Sequence, residues 1–135
     1  MTNAWHQNFK RKPTKLAGRS FDSKAESHCF SFLQALEKAG EIRDIETQQT
    51  IPLVAGIRLR VDYVFFDIKL NEQVFGEYKG FETPEWLLKK KLWKVFGPGR
   101  LRIFMGNWPR YKIEELIPDD YHCKCCNLQR NESSI

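Results

Sequence analysis

The sequence is poor in cysteine and has no long apolar run. Its 135 residues hold four cysteines, and three of them lie within four positions near the C-terminus. This clustering is unsuited to a disulfide framework, so we expect a reducing compartment. No stretch reaches the roughly 20 apolar residues that a membrane-spanning helix needs. The first 15 residues contain no apolar signal core, so we expect a cytoplasmic rather than a secreted protein.

Basic residues, by contrast, are abundant and unevenly distributed. The chain has 22 Lys and Arg against 17 Asp and Glu, and residues 1–24 and 85–102 each hold six basic residues against one acidic residue. Two concentrated basic segments favour a polyanionic partner, most simply nucleic acid. The alternative is a solvated tail and a solubilising helix face.

The hydrophobic content of 41% predicts one packed domain. A Ser-x-x-Glu capping box at Ser23 opens a helix that ends at Gly40, and Thr83-Pro84 opens a second helix that stops before Gly97. The predicted strands are 47–54 (an edge strand, because it contains Pro52), 58–67, 73–79 and 101–105. A short helical turn is predicted at 111–117. The order predicts an α/β fold, with an αβββαβ core and a mixed central sheet flanked by helices.

The flanks of this domain are predicted to differ from it. Residues 1–19 are interpreted as a flexible basic arm, 20–117 as the domain and 118–135 as a polar tail. Cys123 and Cys126 in the tail have the spacing of half a zinc site, but no second pair accompanies them. We therefore expect no structural zinc within residues 122–126 of one subunit.

Three carboxylates and one lysine fall at unusual positions. Helical periodicity places Glu26 on the apolar arc of the first helix, where a charge needs a partner. Asp62 lies where the polar half of its strand meets the apolar half, and Glu77 and Lys79 project from one face of the next strand. Three simpler explanations remain open: a capping role for Glu26, an Asp–Arg pair for Asp62 and a surface Glu–Lys pair.

A hairpin through residues 69–72 would place Asp62 beside Glu77, with Lys79 one step further along. Two adjacent carboxylates repel each other unless a cation lies between them, and oxygen ligands of this kind suit Mg²⁺ or Mn²⁺. A neighbouring lysine can position a water nucleophile or stabilise phosphate charge.

These residues resemble the motifs of the PD-(D/E)XK nuclease superfamily, specifically its small phage-type nucleases and Holliday-junction resolvases. The resemblance covers about residues 20–106, and the sequence departs from the motif at Val61, where the family has Pro. It implies a restriction-endonuclease-like fold, and it would place a phage-encoded protein in the host cytoplasm. It implies that the catalytic residues are Glu26, Asp62, Glu77 and Lys79. It implies metal binding by Asp62, Glu77, Glu26 and the Tyr78 carbonyl.

The expected function is Mg²⁺- or Mn²⁺-dependent endonuclease cleavage of Holliday junctions or other branched DNA in recombination. Two alternatives remain open: a phage end-processing or nicking nuclease on linear DNA, and a catalytically silent nucleic-acid-binding module of the same fold. We expect a homodimer, with Trp5, Trp108 and Tyr111 as candidate contact residues. The predicted nucleic-acid-binding residues are Arg11, Lys12, Lys15, Lys89, Lys90 and Lys91.

The second helix and the first strand give two finer expectations. Helical periodicity predicts that the inner arc of the second helix carries Trp86, Leu88, Leu92, Trp93, Val95 and Phe96. Lys89 falls inside this arc and needs an anion there, unless it extends to solvent. Glu46 and Gln48 are interpreted as residues that could support the site, or as merely structural ones.

Overall fold

The structure, a computed structural model, describes residues 14–16, 19–21 and 23–121. It contains two helices, α1 (Lys24–Lys38) and α2 (Pro84–Phe96). The strands are β1 (Thr14–Leu16), β2 (Arg19–Phe21), β3 (Ile42–Val54), β4 (Ile57–Asp67), β5 (Glu72–Lys79), β6 (Arg100–Asn107) and β7 (Arg110–Leu116). No helix in these ranges is long and apolar enough to cross a membrane.

A mixed five-stranded sheet organises the fold. Its strand order is β3-β4-β5-β6-β7, with β5 parallel to β6 and all other neighbours antiparallel. The parallel pair is joined through α2, because parallel neighbours require a crossover connection. The sequence of α1, β3, β4, β5, α2 and β6 is the predicted αβββαβ core, so the α/β fold class is confirmed.

The two helices cover opposite faces of this sheet. Residues of α1 pack with Phe65 of β4, whereas residues of α2 pack with the adjacent Val64, and adjacent strand residues point to opposite faces. The cluster under α1 includes Cys29, Phe30, Leu33, Tyr63, Phe65, Val74 and Phe104. The cluster under α2 includes Leu59, Val61, Val64, Phe75, Trp86, Trp93, Leu101 and Ile103.

The predicted capping of α1 is confirmed. The Ser23 side chain accepts a hydrogen bond from the Glu26 N–H at 3.1 Å, which satisfies one of the free donors at the helix start. At the other end, Gly40 has φ of +79°, and the Glu41 N–H donates to the Leu36 carbonyl. Glycine adopts this left-handed conformation without a steric penalty, so the helix stops here and β3 begins at once.

Three boundaries differ from those predicted. Residues 110–116 form strand β7, and the predicted helical turn at 111–117 is wrong. The charged side chains in this segment are typical of a helix surface, but they are equally typical of an edge strand exposed to water. Strand β3 begins at Ile42, earlier than predicted, and β1 and β2 pair as a hairpin within and just beyond the segment interpreted as a flexible arm.

Helix α2 presents a different face to the sheet from the one predicted. Trp86 and Trp93 are buried, as expected, but Leu88, Val95 and Phe96 are exposed. The two indole rings fill the space against the sheet, and the Trp93 ring packs edge-on against Phe75. The aliphatic part of the predicted arc is therefore turned to solvent.

A buried ionic network links the strands at the end of the sheet where β6 begins. Arg100 donates to Glu72 at 2.7 Å and to Glu115 at 2.8 Å, and Arg102 contacts Glu115 at 2.7 Å and Asp67 at 3.2 Å. Two residues of the second basic segment are therefore neutralised within the fold rather than displayed on its surface.

Candidate functional site

The site lies at a fork between β4 and β5. Backbone pairing of these strands runs from Asp67 opposite Glu72 to Tyr63 opposite Gly76. Beyond this pair, side chains replace the backbone ladder. The Asp62 N–H donates to Glu77 Oε1 at 3.1 Å, and the Tyr78 N–H donates to Asp62 Oδ2 at 2.8 Å. Hydrogen bonds between amides and carboxylates are charge-assisted, so they compensate for the lost ladder contacts.

The fork also breaks the regular alternation of side chains along β4. Leu59 and Val61 join the cluster that holds Val64, whereas strict alternation would place them on the other face. Asp62 lies where the alternation changes, and residues 61–65 are all buried. The irregularity therefore coincides with the residue that carries the candidate chemistry.

Gly76 permits the close approach of strands at the base of the fork. A Cβ atom added there would lie 3.2 Å from Cε1 of Phe65 and 3.4 Å from Cβ of Tyr63. A larger residue would press against two buried rings, so glycine fits this position best.

Lys79 is held beside Glu77. Its Nζ lies 3.0 Å from Glu77 Oε2, and Glu77 is only 3% exposed. The interpretation as a surface Glu–Lys pair is therefore wrong, because one partner is buried. The Lys79 ammonium also lies 4.6 Å from the centroid of the Trp86 ring. Trp86 was assigned to the helix core by periodicity, and nothing in the sequence indicates its contact with Lys79.

Glu26 reaches the site from α1. Its side chain is 5% exposed, and its backbone carbonyl accepts a hydrogen bond from the buried Tyr63 hydroxyl. The negative charge of Glu26 contributes to the raised pKa of Asp62, after burial and the charge of Glu77. The structure thus places Asp62, Glu77 and Lys79 together at the fork, with Glu26 buried on the neighbouring helix.

On the other side of β4, the register places Gln48 opposite Asp62. Thr47 pairs with Tyr63 and Gln49 pairs with Val61, so Gln48 falls between these pairs. Its φ of 54° is uncommon for a residue other than glycine. Glu46, in contrast, pairs with Val64 and is exposed, away from the fork. Of the two residues, only Gln48 has a position suited to supporting the site.

Burial dominates the electrostatics of the two central carboxyls. It raises the pKa of Asp62 well above its usual range, and the charges of Glu77 and then Glu26 raise it further. Burial also raises the pKa of Glu77, although the charge and hydrogen bond of Lys79 act in the opposite direction. The folded chain therefore holds protons at this site more tightly than the unfolded chain does.

Replacing Asp62 by asparagine is expected to stabilise the metal-free protein at neutral pH by about 1–3 kcal/mol. Because the pKa of Asp62 is raised on folding, stability falls as pH increases from about 4 through the raised value. Asparagine keeps an oxygen for the Tyr78 N–H and removes the charge. Thermal unfolding with a chelator, from about pH 4 to about pH 8, should show a weaker loss of stability for Asp62→Asn than for the wild type.

The matched control is Asp120→Asn, because Asp120 is exposed. This variant should follow the wild-type pH dependence. A lower melting temperature for Asp62→Asn than for the wild type at every pH would contradict the prediction, since hydrogen bonding rather than charge would then dominate at Asp62.

The donor atoms at the fork suit a hard divalent cation. Asp62 and Glu77 supply carboxylate oxygens, and burial is the largest cause of their raised pKa values. A bound cation would favour the charged form of both groups. In the described ranges, however, no three Asp, Glu, His or Cys side chains form a group that could hold a metal ion. Glu26 therefore contributes charge without completing a three-ligand set in this geometry.

The lysines predicted to bind nucleic acid have different environments. Lys90 bridges Glu82 at 3.3 Å and Glu114 at 2.9 Å and is half-buried, so its charge is paired within the fold. Lys89 lies 3.5 Å from Glu85, an exposed residue one turn earlier on the same helix, so its charge extends toward the surface. Lys91 is exposed.

Several predicted residues lie outside the described part of the chain. These are Trp5, Arg11, Lys12 and the tail residues 122–126. For Lys15, the structure gives only its place in strand β1, opposite Ser20. The expectations of a DNA-binding arm and of a tail without zinc remain predictions.

Comparison with known proteins adds little to this geometry. No protein-family model matches the chain, and no curated protein matches it. Among solved structures, the crystal structure of SSO0001 aligns with a TM-score of 0.36 and 14% sequence identity, covering 78% of this chain and 54% of that chain. The chain thus spans about half the length of that protein, and a likeness at this level carries no conclusion about function.

Proposed function

We propose that this protein is a metal-dependent endonuclease that hydrolyses phosphodiester bonds in DNA, with branched DNA such as the Holliday junction as its substrate. One observation carries the proposal. Asp62 and Glu77 are both buried and hydrogen-bonded to each other's strand at the fork, and Lys79 lies 3.0 Å from Glu77. A surface ion pair or a purely structural contact does not require two buried carboxylates to share one position.

The residues have separate roles in this proposal. Asp62, Glu77 and the Tyr78 carbonyl would hold Mg²⁺ or Mn²⁺, which when bound lowers the pKa of water and neutralises phosphate charge. Glu77 orients the Lys79 ammonium, and Lys79 holds the attacking water or a phosphate oxygen. Glu26 adds negative charge that favours a cation at the fork.

The basic segments would hold the DNA backbone. Lys91, which is exposed, and the arm residues Arg11, Lys12 and Lys15 are the proposed phosphate contacts. Lys89 and Lys90 would contribute only by exchanging their glutamate partners for phosphate. Contacts of this kind position a duplex without reading its sequence, which favours recognition by DNA shape.

A homodimer completes the proposal for branched substrates. One subunit offers one pair of strand carboxylates and cuts one strand, whereas a four-way junction needs two symmetric cuts. Trp108 is 53% exposed and offers apolar contact area. Tyr111 is half-buried and packs against Phe32 and Tyr78, so it supports the Trp108 surface rather than forming a contact itself.

The test compares labelled linear, flapped and four-way DNA, each with and without Mg²⁺ or Mn²⁺. We expect cleavage only with a cation, faster cutting of the four-way junction than of linear duplex, and a dimer by light scattering. A protein that binds all three substrates and cuts none would favour the silent binding module and refute the hydrolase. A monomer that cuts linear duplex as fast as the junction would refute the selectivity for branched DNA but not the nuclease activity.

A further inference from the structure

The ring of Trp86 lies against the ammonium group of Lys79, the candidate catalytic lysine. Trp86 is the third residue of α2, and its backbone N–H donates to the Thr83 hydroxyl at 3.1 Å, which fixes the first turn of the helix. The Trp86 side chain is 2% exposed, and its ring lies 4.6 Å from Lys79 Nζ. At this distance the face of the ring attracts an ammonium group, so the ring helps to set where the lysine charge lies.

The indole N–H of Trp86 has no acceptor within the described part of the chain. Trp93, one helical repeat further along α2, shows the ordinary situation, because its indole N–H donates to the Gly99 carbonyl at 2.8 Å. Buried indole N–H groups usually find a partner, and each exception calls for an explanation. This buried donor belongs to a ring that contacts the Lys79 ammonium, so an oxygen that enters beside Lys79 would supply the missing acceptor.

The charge around this donor indicates the kind of oxygen. Lys79 is a cation with three N–H donors, and it forms an ion pair with Glu77. Its side chain is 27% exposed, so a ligand can reach it from solvent. Together, an ammonium and a neutral N–H form a pair of donors that matches an anion with several acceptor oxygens.

We propose that Lys79 and the Trp86 indole form one oxyanion subsite, which accepts the non-bridging oxygens of a phosphate group. The identification of this phosphate as part of a DNA backbone rests on the proposed function. In that setting, Trp86 both positions Lys79 and donates to the phosphate, while Glu77 holds the Lys79 ammonium at 3.0 Å.

The test follows the indole N–H resonances of the full-length protein by nuclear magnetic resonance. The chain has four tryptophans, and Trp86→Phe identifies the signal of interest by its loss. Inorganic phosphate, with and without Mg²⁺, is the probe. We expect a saturable downfield shift of the Trp86 signal, while the Trp93 signal, already bonded to Gly99, stays in place.

Affinity gives a second measurement. Trp86→Phe keeps an aromatic ring beside Lys79 and removes the N–H together with part of the indole. Phosphate should bind about tenfold more weakly, the loss expected for one hydrogen bond to a charged group. Trp93→Phe removes the other buried indole N–H and should leave phosphate affinity unchanged, even where it lowers the melting temperature.

The outcomes separate the subsite from the nuclease. A Trp86 signal that phosphate does not move, or equal phosphate affinity in Trp86→Phe and wild type, would overturn the subsite. Cleavage of DNA by such a protein would leave the proposed function standing. A shifted Trp86 signal in a protein that cuts no DNA would support the subsite and refute the hydrolase.

Discussion

Replacing Glu77 by glutamine is expected to reduce the rate of DNA cleavage by roughly 10³-fold or more. Glutamine has nearly the same shape and can still accept a hydrogen bond from the Asp62 N–H. It removes the charge that would hold a divalent cation and that pairs with Lys79 at 3.0 Å. Single-turnover cleavage of a labelled four-way junction, at saturating Mg²⁺, measures the loss.

The control for this variant is Glu85→Gln. Glu85 is exposed and pairs with a lysine on its own helix, so its change removes one negative charge from the surface and none from the fork. We expect near wild-type cleavage at saturating enzyme from Glu85→Gln, wild-type circular dichroism from both variants, and wild-type DNA affinity from Glu77→Gln. Full activity in Glu77→Gln would show that Glu77 is not a metal ligand, and it would refute the proposed mechanism.

The largest expected effect on stability is at Arg100. This side chain is 10% exposed and donates to Glu72 and Glu115, and Glu72 is itself buried. Arg100→Ala leaves the Glu72 carboxylate buried without its cation, so we expect a loss of about 3–5 kcal/mol in the free energy of unfolding. Urea denaturation followed by circular dichroism measures this loss.

Two further variants at arginine positions define the cause. Arg110→Ala removes an exposed arginine from β7 and should change stability by less than about 0.5 kcal/mol. Arg100→Lys keeps the charge but cannot make both hydrogen bonds in the same geometry. Its loss of stability should therefore lie between those of Arg100→Ala and Arg110→Ala. If Arg100→Ala were as stable as Arg110→Ala, the network would carry little of the stability of the fold.

Local signals explain what the sequence predicted well. The capping box at Ser23, the glycine at position 40 and the Thr83-Pro84 pair each act within one helical turn, so they place helix ends without knowledge of the tertiary structure. The turn at residues 69–72 predicted the hairpin that brings Asp62 to Glu77. The candidate site could therefore be predicted from the sequence, because its two central carboxylates come from consecutive strands.

Nonlocal contacts explain what the sequence did not predict. Lys90 pairs with Glu114, which is 24 residues away in the sequence, and Arg100 pairs with Glu72, which is 28 residues away. Counting charges within a segment cannot detect such partners, so the second basic segment seemed more exposed than it is. The inner face of α2 was misjudged for a similar reason, because the bulk of Trp86 and Trp93 decides which side meets the sheet.

The fork between β4 and β5 also has a consequence for hydrogen exchange. Most backbone amides of these strands are protected from solvent deuterium by carbonyl groups of the adjacent strand, whereas the amides of Asp62 and Tyr78 are protected by carboxylates. Exchange at these two positions therefore follows the state of the Glu77 and Asp62 side chains rather than the opening of the sheet. Any ligand that draws the carboxylates away would expose these two amides to deuterium while Phe65 and Val74 stay protected in the ladder.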